Sequence, residues 1–150
     1  MAIPSKQNIA IPPLLDVGLS LRQLKEYPGV CQPEWQGNCY KYVDSPRSWS
    51  DADNYCINQY GARLVSIHSA EENSFVRGLN ASAHWPWIGF NDLVNEGSYR
   101  WSDGTQVNYA NWKSGQPNDY NNQDCVCFEE ESNEWGDSEC SDEYVFVCKK

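Results

Sequence analysis

Residues 115–125 read Gly-Gln-Pro-Asn-Asp-Tyr-Asn-Asn-Gln-Asp-Cys, and Trp135-Gly136-Asp137 follows a short way on. Amides and carboxylates crowd a loop that has a proline inside it and a cysteine at its end. Such a density of side-chain oxygen suits a hard cation such as Ca²⁺, which takes about six to eight oxygen ligands. It suits a sugar equally, because amides and carboxylates present lone pairs and N–H donors in fixed directions to hydroxyl groups. The residue types at particular positions therefore have to separate a metal-bridged sugar site from a metal-free one.

The chain has 150 residues, enough for one core. Its seven cysteines point to an oxidised, extracellular domain with a disulfide framework. A zinc site is disfavoured. Cys125-Val-Cys127 has no second pair at finger spacing, and His68 and His84 lie far away. A net charge of −10 argues against nucleic acid and anionic membrane as partners. The charge is uneven, with no Lys or Arg between Lys113 and Lys149. That interval is either a solvated acidic face or a cation-binding one. No segment is long and apolar enough to span a bilayer. No signal peptide is visible, so the sequence reads as a mature, secreted form.

Residues 1–30 carry no cysteine and read as an N-terminal arm. Leu14, Val17, Leu21 and Leu24 fall on one helical face, too short a run to secure a coiled coil. From Cys31 to the end the pattern is that of a domain. Cys31 and Cys39 bracket a hairpin containing Pro33 and Gly37. Ser48 caps a helix to about Tyr60, with Trp49, Ala52, Cys56 and Gln59 on one face and Gly61 as the stop. Ser69-Ala-Glu-Glu72 is a capping box for a second helix through about Leu79. Strands are predicted at Trp87–Phe90, Tyr99–Trp101, Cys125–Phe128 and Tyr144–Cys148. Residues 105–124 show little regular pattern, and a loop that long in a small domain is normally functional. Asn80-Ala-Ser82 is a glycosylation sequon.

This order resembles the C-type lectin-like domain. The matching residues are Cys31-x-Pro-x-Trp35, Cys39-Tyr40, Trp49 and Cys56, Leu64-Val-Ser-Ile-His-Ser69, Trp87-Ile-Gly89 and Trp101-Ser-Asp-Gly104. They continue through Asn111-Trp112, Gln116-Pro117, Asp124-Cys125, Trp135-x-Asp137, Cys140 and Cys148. The resemblance covers residues 31–150. It implies an α+β fold: two helices flanking two small antiparallel sheets, with a long ligand-binding loop. It also implies the pairs Cys31–Cys39, Cys56–Cys148 and Cys125–Cys140. Cys127 is then left over, either as a buried thiol or as an interchain bridge. A homodimer is the expected assembly, locked or not by that bridge.

In the family a Ca²⁺ bridges protein and sugar. The positions matching its ligands are Gln116, Asn118, Gln123, Gly136 and Asp137. Gln123 has an amide where the family has a carboxylate, Gly136 offers no side chain, and Asp137 alone keeps a charge. Affinity for Ca²⁺ rises with ligand charge and number, so this primary site is expected to be weak. A second, auxiliary Ca²⁺ site matches Asp92, Glu96, Asp119 and Asp124, and it is the better metal candidate. In the family Gln-Pro-Asp goes with galactose and Glu-Pro-Asn with mannose, so Gln116-Pro117-Asn118 is a hybrid. Tyr120 sits where galactose binders place an aromatic ring, which stacks on the apolar face left by the axial 4-hydroxyl.

The reading is a secreted carbohydrate-binding domain for galactose-type, lactose-like glycans, acting in innate defence or agglutination. Gln116, Asn118, Tyr120, Gln123 and Asp137 carry the sugar, with weakened or absent Ca²⁺ dependence. Protein or ice binding on the same fold, and Ca²⁺-dependent mannose binding, are the alternatives. An enzyme is not expected, because no nucleophile stands beside His68 or His84.

Overall fold

The computed structural model describes residues 33–150. The arm, its Leu14–Leu24 face and Cys31 lie outside the described residues. Strands β1 (Glu34–Trp35) and β2 (Asn38–Arg47) form the expected hairpin, pairing Glu34 with Cys39 and Trp35 with Asn38. Gln36 (φ 48°) and Gly37 (φ 84°) make its turn, and two positive φ angles in succession match the right-handed twist of the strands.

Helix α1 (Trp49–Tyr60) starts where Ser48 Oγ accepts the Asp51 N–H and stops at Gly61, whose left-handed φ is 61°. Trp49, Ala52 and Cys56 are buried, as the spacing requires, but Gln59 is exposed. Asp53 takes a buried place on this helix instead. Its carboxylate binds Arg63 Nη2 at 2.6 Å and the Leu64 N–H at 3.0 Å, fixing the helix to β3 (Arg63–Leu64). A paired charge can be buried where an unpaired amide gains nothing by it.

Helix α2 (Ala70–Gly78) opens with Ser69 Oγ accepting the Glu72 N–H at 3.0 Å. The reciprocal half of the capping box is redirected. Glu72 Oε1 accepts the His68 N–H at 2.8 Å, and Oε2 accepts from Lys149 Nζ at 2.6 Å and the Tyr40 hydroxyl at 2.7 Å. Glu72 is 3% exposed, so it joins helix to sheet through a buried, fully partnered charge.

The remaining strands are β4 (Trp87–Asn91), β5 (Arg100–Trp101), β6 (Cys125–Phe128), β7 (Trp135–Ser138) and β8 (Tyr144–Lys149). The α+β fold that the resemblance implies stands, and its two small antiparallel sheets are joined to each other. The strands join into one eight-stranded mixed sheet in the order β1-β2-β8-β4-β6-β7, with β3 on β8 and β5 on β4. The junction is a parallel contact between Trp87 and Phe146. Phe146, Val147 and Cys148 are buried in succession, so β8 needs cover on both faces and both edges.

Side chains alternate strictly across this sheet. Ile88, Val126, Phe128 and Val147 enter one cluster with Val76 of α2, Phe90, Trp101 and Trp135. Trp87, Cys125, Cys127, Phe146 and Cys148 enter the other, against Trp49, Ala52 and Cys56 of α1. Cys56–Cys148 crosslinks α1 to β8, and Cys125–Cys140 crosslinks β6 to the segment before β8. Their sequence separations are 92 and 15 residues. By loop-closure entropy such crosslinks stabilise by about 4–5 and about 3 kcal/mol. Cys39 is also disulfide-bonded. Cys127 is free and 0% exposed, its Sγ 3.5 Å from Ser138 Oγ. A thiol at that depth cannot reach a second chain without opening the sheet. The interchain bridge through Cys127 is therefore withdrawn.

Candidate functional site

The long loop is anchored before it reaches its polar tip. The Trp135 N–H donates to Asn111 O at 2.8 Å and the Lys113 N–H to Trp135 O at 2.9 Å, so residues 111–113 run as a short parallel ladder beside β7. Asn111 Nδ2 and Asn73 Nδ2 both donate to Asn133 O at 2.8 Å. Trp135 Nε1 donates to Asn73 Oδ1 at 2.8 Å, which ties the loop base to α2 as well. Beneath lies an aromatic floor: Phe90 stands 4.4 Å from Trp101 and 5.5 Å from Trp135, and Tyr99 stands 5.0 Å from Trp112. Trp135 is 0% exposed, so its ring is packing and does not face a ligand.

At the tip, Asp137 organises the chain. It is 4% exposed, and its carboxylate accepts the Asn118 N–H on Oδ1 (3.2 Å) and the Asp119 N–H on Oδ2 (2.8 Å). Its own N–H donates to Gln116 Oε1 at 3.4 Å. Asn118 Oδ1 accepts the Tyr120 N–H at 3.0 Å, and the Gln116–Pro117 peptide is cis. Gln116, Asn118 and Asp137 thus meet, while Tyr120 stands 68% exposed on the rim and Gln123 lies half-buried before Asp124.

A second group lies under the same loop. Carboxylate oxygens of Asp92, Glu96 and Asp124 fall within 4.8 Å of one another. The Asp92 N–H donates to Asp124 O at 3.0 Å, and the Gly97 N–H to Asp92 Oδ2 at 2.8 Å. Asp92 is 2% exposed, and its Oδ1 and that of Asp124 are buried with no hydrogen-bond partner. A hydrogen bond with Asp92, together with desolvation and repulsion from Asp92, Asp119 and Asp124, pushes Glu96 up to about 7. Burial and then the Asp92 charge raise Asp124. Asp119 contributes to the field, but its carboxylate is not one of the three that converge.

The two oxygen sets differ in what they ask of a cation. The Asp92 set has orphaned buried oxygens and unbalanced charge, which a hard cation would satisfy. The Gln116 set already receives N–H donors from the loop itself. Sequence reasoning missed Glu129 and Lys113. Glu129 Oε2 lies 3.7 Å from Lys113 Nζ, and the Glu129 carboxylate rests against Gly136. Strand pairing carries the signal: Gly136 pairs with Cys127, and Glu129 lies two residues further along the same strand direction. The sequon residue Asn80 follows α2, well separated in sequence from the loop, with Oδ1 accepting from Ser82 N–H and Oγ.

The Lectin C-type domain pattern matches residues 45–150. An alpha-N-acetylgalactosamine-specific lectin of Patiria pectinifera is 35% identical over 136 residues, covering 81% of each chain. Among solved structures, the C-type lectin CEL-I of Cucumaria echinata superposes with a TM-score of 0.73 at 31% identity, covering 83% of this chain and 96% of that one. Herring type II antifreeze protein superposes with a TM-score of 0.74 at 31% identity, covering 79% of this chain and 94% of that one. With that pattern over most of its length and a relative of this identity and coverage, the chain belongs to the C-type lectin domain family.

Proposed function

We propose that this chain is a secreted lectin domain that binds galactose-type glycans through Gln116, Asn118, Tyr120 and Asp137, on a loop whose shape does not depend on metal. The observation that carries this reading is the Asp137 carboxylate holding the backbone N–H groups of Asn118 and Asp119. A loop fixed in this way is preorganised, so a ligand need not supply its ordering free energy. Tyr120 is free to stack on the apolar face of galactose. The name of the Patiria pectinifera relative, a lectin for a galactose-type sugar, supports the same class. Mannose is disfavoured because Gln116 and Tyr120 fit the galactose pattern and Asn118 alone fits the mannose one. Any Ca²⁺ belongs with Asp92, Glu96 and Asp124, and Asp119 adds charge at its rim. It would stabilise the neighbouring loop rather than bridge to the sugar. Protein crosslinks of this number fit an extracellular setting. Among the described residues no helix is long and apolar enough to cross a membrane.

A glycan array in EDTA and in Ca²⁺ tests the reading. Terminal galactose and N-acetylgalactosamine should be retained in both conditions. Mannose-type ligands alone, or complete loss in EDTA, would overturn it. The likeness to herring antifreeze protein supports ice binding as a second reading. Thermal hysteresis in the absence of glycan binding would favour that one.

A further inference from the structure

We propose that Glu129 is a sugar-binding residue, reaching the ligand loop through the gap that Gly136 leaves. This rests on the galactose-type reading of the loop. A Cβ added to Gly136 would lie 1.8 Å from Glu129 Oε1, 2.9 Å from Glu129 Cδ and 3.4 Å from Gln116 Cδ. The first distance is impossible for a real atom pair, so the Glu129 carboxylate fills the space that any side chain at position 136 would need. It does so against the Gln116 amide, which itself accepts the Asp137 N–H.

Glu129 is not held there by a buried network. Lys113 Nζ stands 3.7 Å from Oε2, and the Glu129 side chain is 19% exposed. Its backbone, by contrast, is fixed: the N–H donates to Glu134 O at 2.8 Å, and the carbonyl accepts from Arg77 Nη2 at 3.4 Å. The carboxylate is therefore on a rigid base, balanced by a cation of the protein, with access to solvent. An ionised carboxylate accepts from two vicinal hydroxyls at once, and such charge-assisted bonds are about twice as strong as neutral ones. Glu129 and Gln116 together give the loop an anionic, planar acceptor pair that needs no metal. Lys113 is a positioning residue that supplies the compensating charge.

Titration with lactose, in EDTA and again in Ca²⁺, tests this on wild type, Glu129→Gln, Gly136→Ala and the pair Glu129→Ala with Gly136→Asn. Unfolding temperature is recorded for each. Glu129→Gln should bind lactose about tenfold more weakly or worse in EDTA, at unchanged unfolding temperature. Gly136→Ala should lose affinity in the same way, because the new methyl displaces Glu129. The pair should make binding depend on Ca²⁺. If Glu129→Gln binds lactose as tightly as wild type in EDTA, Glu129 is only the partner of Lys113 and the inference fails alone. If it weakens binding in Ca²⁺ but not in EDTA, the metal-free role fails. If wild type binds neither lactose nor any other galactose-type glycan, the reading of the loop fails and the inference falls with it.

Discussion

Tyr120 and Cys127 lie in the same short stretch of chain and have opposite exposures, and each dictates a different experiment. Tyr120 is 68% exposed, and its backbone is held by Asn118 whatever its side chain is. Tyr120→Ala should leave the unfolding temperature alone and cost about 0.5–1.5 kcal/mol of galactose affinity, the usual value of an aromatic contact. Calorimetric titration with lactose reads this directly, and an unchanged affinity would remove the ring from the site. Cys127 is fully buried, and burial pushes its thiol up to about 12. The thiolate is the nucleophile, so a thiol that stays protonated and enclosed is inert. Iodoacetamide near pH 8 should leave Cys127 unmodified in the native protein and label it after unfolding without reductant. Native labelling would show that β6 opens. Any homodimer must then use other surfaces, and sedimentation of wild type beside Cys127→Ser would give the same state for both.

At the scale of elements, the decisive positions are those where backbones touch. Gly89 in β4 is one. A Cβ there would meet Ser102 Oγ at 2.7 Å, Leu64 O at 2.8 Å and Val65 O at 3.2 Å. Two of the three are main-chain atoms, and Gly89 also exchanges hydrogen bonds with Val65 and Ser102. Gly89→Ala should destabilise by about 1–3 kcal/mol, the range for overpacking, read as a lower denaturant midpoint at unchanged slope. Much of this level was legible beforehand. The caps at Ser48, Gly61 and Ser69 announce both helices, because capping is local chemistry. Strand β7, and β2 beyond its hairpin end, were not legible. Their residues mix polar and apolar types without clean alternation, and they become strands because β8 and β6 offer edges to pair with. The candidate site was legible only where a residue type carries the chemistry, as at Gln116, Asp92 and Asp124. Glu129 enters it through a missing side chain across a strand pair, which no single position announces.

The whole molecule carries a net charge of −10, and its oxygen-rich loop lies largely in the stretch after Lys113 that lacks Lys and Arg. The consequence for stability is set by the Asp92, Glu96 and Asp124 group. A free glutamate titrates at about 4.3, whereas the hydrogen bond with Asp92 and the surrounding negative charge push Glu96 up to about 7. Between those two values the folded metal-free protein holds more protons than the unfolded chain. Its stability therefore falls as pH rises through that window. Asp103 acts in the opposite sense: burial opposes its ionisation, but hydrogen bonds from Ser66 and Thr105 outweigh it and hold the carboxyl below its usual range. Its contribution is already complete above about pH 5, so it does not mask the trend. Ca²⁺ would replace the proton as counter-charge, at no cost near pH 8 and in competition near pH 5. At about one hundred times its dissociation constant a ligand stabilises by about 2.7 kcal/mol. Thermal unfolding in EDTA and in Ca²⁺ should therefore show a gain from Ca²⁺ that is small at pH 5 and several degrees at pH 8. Asp92→Asn should abolish that gain, while Asp137→Asn should leave it in place. An equal gain at both pH values, or one lost with Asp137→Asn instead, would move the ion away from the Asp92 group and toward the sugar loop.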